Sequence, residues 1–224
     1  MRSQTPAHRY AAAPLGAPVL ALLLLAAPAR AAQSPQQVIH DGAEKVRSVL
    51  KHKTRKGSPA REKQKAELKQ VVDGFLDYRE LARRSLGPHW KDRSPQEQTE
   101  FCDLLRELIE ASYTNAIRDN VDFSLDFEEE EIADDRSKAT VAAVASAKNA
   151  KGKKVSEDLT FQLFLKERKW MIYDVEFGDL SLVRHYRGEF NRKIKKESYA
   201  ALIAVMKKKL DEIRSGKIEK KLKL

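Results

Sequence analysis

The sequence predicts an α+β fold in which an antiparallel four-stranded sheet is packed by N- and C-terminal helices. Three observations predict it: apolar residues recur at helical spacing from Ile39 to Ile117, they alternate from Phe123 to Phe177, and they return to helical spacing from Leu182 onward. The 224 residues with 42% hydrophobic content suit one medium domain with appendages rather than two cores. No internal repeat is visible.

The N-terminal stretch is set apart from the rest. Arg2, His8 and Arg9 precede an uncharged apolar run from Ala11 to Ala27, interrupted by Pro14, Gly16 and Pro18. That run is short of the roughly 20 residues that cross a bilayer, and Ala29 and Ala31 supply an A-x-A site. Residues 1–31 therefore read as a secretory signal peptide cleaved near Ala31, followed by a single domain over 32–214 and a basic tail over 215–224. No paired arginines and no lipidated cysteine accompany the leader, so the expectation is a soluble exported protein.

The elements follow in order. Ile39, Ala43, Val46 and Leu50 predict a helix over 35–52, and after the basic loop KHKTRKGSPAR a second runs from Ala60 to Leu76. Asp77 and Glu80 form a capping-box signature that starts a short helix, and Gly87-Pro88 ends it. Ser94, Pro95 and Glu97 give a stronger start for the longest helix, to about Arg118. Phe123, Leu125 and Phe127 open the sheet. SKATVAAVASAK and KVSEDLTFQLFLK flank a hairpin loop at Asn149–Gly152, and Lys169 to Phe177 follows a tight turn at Glu167 and Arg168. Asp179 is the predicted N-cap of a helix carrying Leu182, Tyr186, Phe190 and Ile194, and a last helix holds Ile203, Met206, Leu210 and Ile213.

Composition and motifs exclude several function classes. The chain's formal charge is +10; removing residues 1–31, which hold three arginines and no acid, leaves +7, and residues 207–224 alone carry +5. Nucleic acid usually pairs with such a patch, but an exported chain rarely meets it, so anionic lipid headgroups or an acidic partner fit better, with a frayed, solvated helix end as the equal alternative. No G-x-S-x-G, H-E-x-x-H, metal-spaced Cys/His cluster or Gly-rich phosphate loop is present, so the reading is not an enzyme, with no catalytic residue, metal site or cofactor. Glu128–Glu131 lacks the turn and glycine of a calcium loop and reads as a solvated strand end. The lone Cys102, beside Phe101 and Leu105, reads as a small core residue.

Three blocks carry a resemblance: DYRELARRSLGPHW at Asp77–Trp90, SPQEQTEFCDLLRELIEASY at Ser94–Tyr113, and WMIYDVEFGDLSLVRHYRGEF at Trp170–Phe190. Together they make the chain similar to the MlaC, or toluene-tolerance, family of ABC-transporter auxiliary proteins from about Val72 to Leu210. The resemblance implies a periplasmic phospholipid carrier between an outer-membrane lipoprotein complex and an inner-membrane MCE-domain ABC transporter, with an apolar pocket between helices and sheet. It also departs from the family pattern at Asp179, at His185, in the basic insertion near Lys51–Arg61 and in the tail. Such a pocket should reach or exceed the upper end of the roughly 300–1,000 Å³ range of ligand sites. The candidate lining residues are Trp90, Leu105, Tyr113, Phe161, Leu163, Trp170, Ile172, Val175, Leu182 and Tyr186, about half of them plain core. Arg187 is a candidate to meet the headgroup phosphate at the mouth, or to pair with a surface carboxylate. A lipid-free envelope adaptor, a hopanoid carrier and a secreted hydrolase are the alternatives.

Overall fold

In the computed structural model, the described residues form six α-helices and an antiparallel sheet of strand order β1-β2-β3-β4-β5. The structure describes residues 33–55, 57–119, 123–148 and 152–217, with the side chains of 113–119 left aside. The predicted leader, the apex of the 149–152 hairpin and the end of the basic tail lie outside the described residues. Ala32–Leu224 make one compact unit. No helix among the described residues is long and apolar enough to cross a membrane.

Helix α1 (Pro35–Leu50) starts where Ser34 Oγ accepts from the Gln37 amide and Pro35 fills the first turn. Helix α2 (Pro59–Asp73) uses the same device at Ser58. The buried Gln64 side chain ties the two helices together by donating to the carbonyls of Val49 and His52 at 2.8 and 2.7 Å. α2 is shorter than the spacing of its apolar residues suggests. Gly74 caps it, and Phe75 and Leu76 leave the helix to run parallel to the fourth strand, where the Ile172 amide donates to Phe75 O and the Asp77 amide to Ile172 O.

That last bond explains a second departure. Asp77 caps α3 (Tyr78–Leu86) by accepting from the Glu80 amide at 2.9 Å, but its own amide is already engaged by the sheet. The Glu80 carboxylate turns instead to Arg83 and Arg84, so only half of the predicted capping box forms. A 3₁₀ turn at Gly87–Trp90 leads to α4 (Pro95–Asp119), where the full box is present: the Glu97 amide donates to Ser94 Oγ, and the Ser94 amide to Glu97 Oε2.

The strands are β1 (Ser124–Ile132), β2 (Lys138–Lys148), β3 (Lys154–Lys166), β4 (Lys169–Phe177) and a two-residue β5 (Leu180–Ser181). β1 continues straight through Glu128–Glu131, whose side chains are exposed, with a bulge between Phe127 and Glu129. The predicted turn at Glu167 and Arg168 has φ of +48° and +66°, the left-handed pair a type I′ hairpin requires.

The sheet has five strands rather than four, and the reason lies in a buried carboxylate. Asp174 accepts from Ser181 Oγ at 2.5 Å and from the Val183 amide at 3.0 Å, which pins Leu180–Ser181 beside β4. Ser181, not Asp179, is therefore the N-cap of α5 (Leu182–Lys196), accepting from the Arg184 amide. Helix α6 (Tyr199–Arg214) completes the fold and runs along α4, with Lys207 bonded to Glu100 and Arg214 to Glu107.

Two apolar cores result. One lies among α3, α4, α5 and α6 and is centred on Phe101, Tyr186 and Phe190; the Phe101 and Phe190 rings meet edge to face at 5.4 Å. The other lies on one sheet face, where Val141, Leu163 and Ile172 pack under Ile39 of α1 with Phe75 and Leu76 alongside. Val175 touches both.

Candidate functional site

Directly opposed residues of an antiparallel sheet share a face, so the register identifies the apolar side. Phe127 faces Ala143, Ala143 faces Leu159 and Leu159 faces Phe177; one step along, Val141 faces Phe161 and Phe161 faces Val175. Strand β2 contributes mainly small side chains, Ala139, Val141, Ala143 and Ala145, between bulkier neighbours on β1 and β3. Small β2 side chains thus sit between Leu125, Phe127, Leu159 and Phe161, and Ala139, Val141 and Ala143 are buried.

Cover over this face is uneven. At the end near Ala139, Leu163 and Trp170 the side chains are buried by α1. Toward the other end Leu125, Phe127, Leu159, Val175 and Phe177 are only half-buried. Six residues of strand separate the two ends, about 20 Å at roughly 3.4 Å per residue. The half-buried part of this face forgoes stabilisation, because each fully buried large apolar side chain would contribute about 1.5–3 kcal/mol.

Two hollows at the surface of the described residues bear on the site. The larger, about 720 Å³, lies on the outer side of α4 along Pro95–Glu107. Its lining carries Gln96, Glu100, Asp103 and Glu107 and touches the helical core only at Leu104, so its acidic rim offers no attraction for an anion. The second, about 360 Å³, lies between α1, the Gly74–Phe75 turn and the β3–β4 hairpin. Its walls include Val38, Phe75 and Trp170, which belong to or pack against the sheet-side core. Gly42 lets α1 seat closely there, since a Cβ on it would stand 2.8 Å from the Phe75 ring.

The MlaC protein family model matches residues 40–208, most of the chain. The chain belongs to the MlaC family. Its fold is similar to that of the phospholipid-binding protein from Ralstonia solanacearum solved in complex with a phospholipid, with a TM-score of 0.66 and 18% identity over 81% of this chain and 99% of that one. No curated protein sequence matches the chain.

Against this MlaC framework, the candidate residues fall into two groups. Trp90, Leu105, Leu182 and Tyr186 are buried in the helical core; Phe161, Leu163, Trp170 and Ile172 are buried in the sheet-side core, and Val175 joins the two. The Tyr113 side chain lies outside the described residues. Arg187 is exposed on α5, where Nε donates to the Arg84 carbonyl at 2.9 Å and its methylenes pass over Gly87, whose φ of +60° belongs to the region glycine favours. It joins α5 to α3 through a carbonyl rather than a surface carboxylate.

The MlaC blocks owe much of their content to holding the frame. Asp77 caps α3 and joins it to β4 through its amide and to β3 through a 2.7 Å ion pair with Lys166. Asp174 joins β4 to α5, and Gln98 donates to the carbonyls of Trp90 and Arg93. Arg84 stands 3.8 Å from the Tyr173 ring. The residues that sequence reading missed are the wall of the second hollow, Val38, Phe75, Lys45, Arg168 and Lys169.

Titration behaviour outside the hollow is structural. Glu80 is held below the ordinary carboxylate range, chiefly by its hydrogen bond from Arg83. Burial pushes the Cys102 thiol up to about 11 and the Tyr199 phenol up to about 12. A thiol so depleted in thiolate is a poor nucleophile, which fits a packing role at the edge of the helical core.

Proposed function

We propose that this protein is a periplasmic phospholipid carrier, exported with its leader removed near Ala31, that moves lipid between an outer-membrane lipoprotein complex and an inner-membrane MCE-domain ABC transporter. The observation that carries the reading is the apolar sheet face, half-buried toward one end, in a chain of the MlaC family. The phospholipid bound by the structurally similar Ralstonia protein supports the same ligand class.

On this reading the acyl chains lie between the sheet and the helices, against Phe161, Leu163, Trp170, Ile172 and Val175, with Trp90, Leu105, Tyr113, Leu182 and Tyr186 as the opposing helical wall. Each sheltered methylene contributes about 0.8 kcal/mol, so a carrier must replace nearly the whole bilayer environment for its cargo. Transfer is then close to isoenergetic, and direction comes from the partners. No chemistry on the lipid is required of any residue.

The test is mass spectrometry of organic extracts from protein purified without detergent. Near-stoichiometric phospholipid is the expected result. A hopanoid in its place would keep the carrier role and change the cargo, whereas protein that is repeatedly lipid-free and takes up none from vesicles would overturn the reading.

A further inference from the structure

The 360 Å³ hollow between α1 and the β3–β4 hairpin has the composition of an anion site built on an apolar wall. Three cations line it: Lys45 from α1, and Arg168 and Lys169 from the hairpin. None of the three makes an ion pair or side-chain hydrogen bond among the described residues. The single carboxylate in the lining, Asp41, is already taken up by Gln33, Gln37 and His40 at 2.8, 2.6 and 3.2 Å. Those contacts keep Asp41 ionised and hold its oxygens toward α1 and its N-terminal approach, so the lining carries three cations against one carboxylate.

The apolar side is Val38, Val71, Phe75 and Trp170, and this wall is continuous with the sheet-side core. The hairpin also carries conformational strain, because Glu167 and Arg168 occupy left-handed backbone at a turn that glycine or asparagine would fill without cost. A volume near the low end of the range for ligand sites is too small for two acyl chains and suits a polar headgroup.

We infer that Lys45, Arg168 and Lys169 form a phosphate-ester site at one end of the sheet, with any attached acyl chains entering the apolar face past Phe75 and Trp170. For its lipid arm this inference rests on the carrier reading; the anion chemistry stands independently. The phosphate belongs either to a lipid headgroup or to a small soluble ester, and both present the same dianionic or monoanionic oxygen set to the guanidinium and ammonium donors.

The experiment uses full-length protein as purified and three probes: phosphatidylglycerol delivered from vesicles, diacylglycerol with the same chains, and glycerol 3-phosphate. The triple change Lys45→Gln, Arg168→Gln, Lys169→Gln and the corresponding triple change to Glu are compared with Lys154→Glu at the far end of the sheet and with Arg187→Ala. Phosphatidylglycerol binding should weaken by roughly tenfold in the Gln variant and further in the Glu variant, with diacylglycerol uptake unchanged and the wild-type difference shrinking as salt rises. If glycerol 3-phosphate binding is lost in parallel while neither lipid is affected, the site serves a soluble ester. Equal loss for phosphatidylglycerol and diacylglycerol, no loss for any probe, or a loss that follows Lys154 or Arg187 instead would overturn the site. Wild-type protein that binds glycerol 3-phosphate but neither lipid would refute the carrier reading and leave the anion site standing.

Discussion

Replacing Val175 by Phe separates a lipid chamber from a packed core. Val175 faces Phe161 across β3 and β4, touches both apolar clusters and is only half-buried. The larger ring displaces about four methylenes' worth of acyl chain, which at about 0.8 kcal/mol each costs roughly 3 kcal/mol of lipid affinity, or about 200-fold. If that space holds cargo, the lipid-free protein accommodates the ring with a stability change under about 1 kcal/mol. If it is packed protein, overpacking costs about 1–3 kcal/mol of folding stability. Lipid per mole after vesicle incubation, together with urea unfolding of the delipidated protein, reads both quantities. Retained loading combined with a loss of some 2–3 kcal/mol in stability would refute the assignment of Val175 to the chamber.

The remaining predictions concern the frame. Ser181→Ala removes the α5 cap and a partner of the buried Asp174 carboxylate, so urea unfolding should show a loss of about 2–3 kcal/mol. Cys102 should react with a disulfide reagent at pH 8 about 200-fold more slowly in the native protein than in urea, given a thiol pushed up to about 11; equal rates would contradict its packing beside the helical core. Glu80 titrates below its unfolded value, near 4.3, so its contribution is complete above that pH and is lost as pH falls through the lowered folded value. A melting temperature followed from pH 6 down to 3 should therefore fall less steeply in Glu80→Gln than in the wild type, by a modest amount because the carboxylate is partly exposed.

Much of the frame was legible in the sequence because its signals are local. The Ser94–Glu97 box, the Glu167–Arg168 turn and the alternation from Phe123 to Phe177 each lie within a few residues, and each forms as read. What escaped depends on partners distant in the chain. The Asp77–Glu80 box is half-formed because the Asp77 amide is claimed by Ile172, nearly a hundred positions away. β5 is two residues long and has no periodicity to detect; it exists because Asp174 captures Ser181. Lys45, Arg168 and Lys169 look like solvated surface charges until the fold brings the hairpin beside α1. The apolar lining candidates were visible as apolar, but periodicity does not reveal which of two cores a side chain joins.

The division of labour that follows bears on how a carrier releases its cargo. The side chains that fix the frame are polar and specific: Asp77, Asp174, Gln98, Arg84 and Ser181 each link two elements through named bonds. The sheet face they support is generic and apolar among the described residues. Hydrocarbon shelter then contributes nearly the same free energy in the carrier as in a bilayer, so the chains alone neither trap the lipid nor expel it. Selectivity and control must reside where charge meets that face, and among the described residues the cationic hollow beside Phe75 and Trp170 joins the two. Because its cations are exposed, their pull weakens with ionic strength and yields to any partner that presents its own anions; on the carrier reading proposed above, that would give a membrane complex a handle on the headgroup without disturbing the frame.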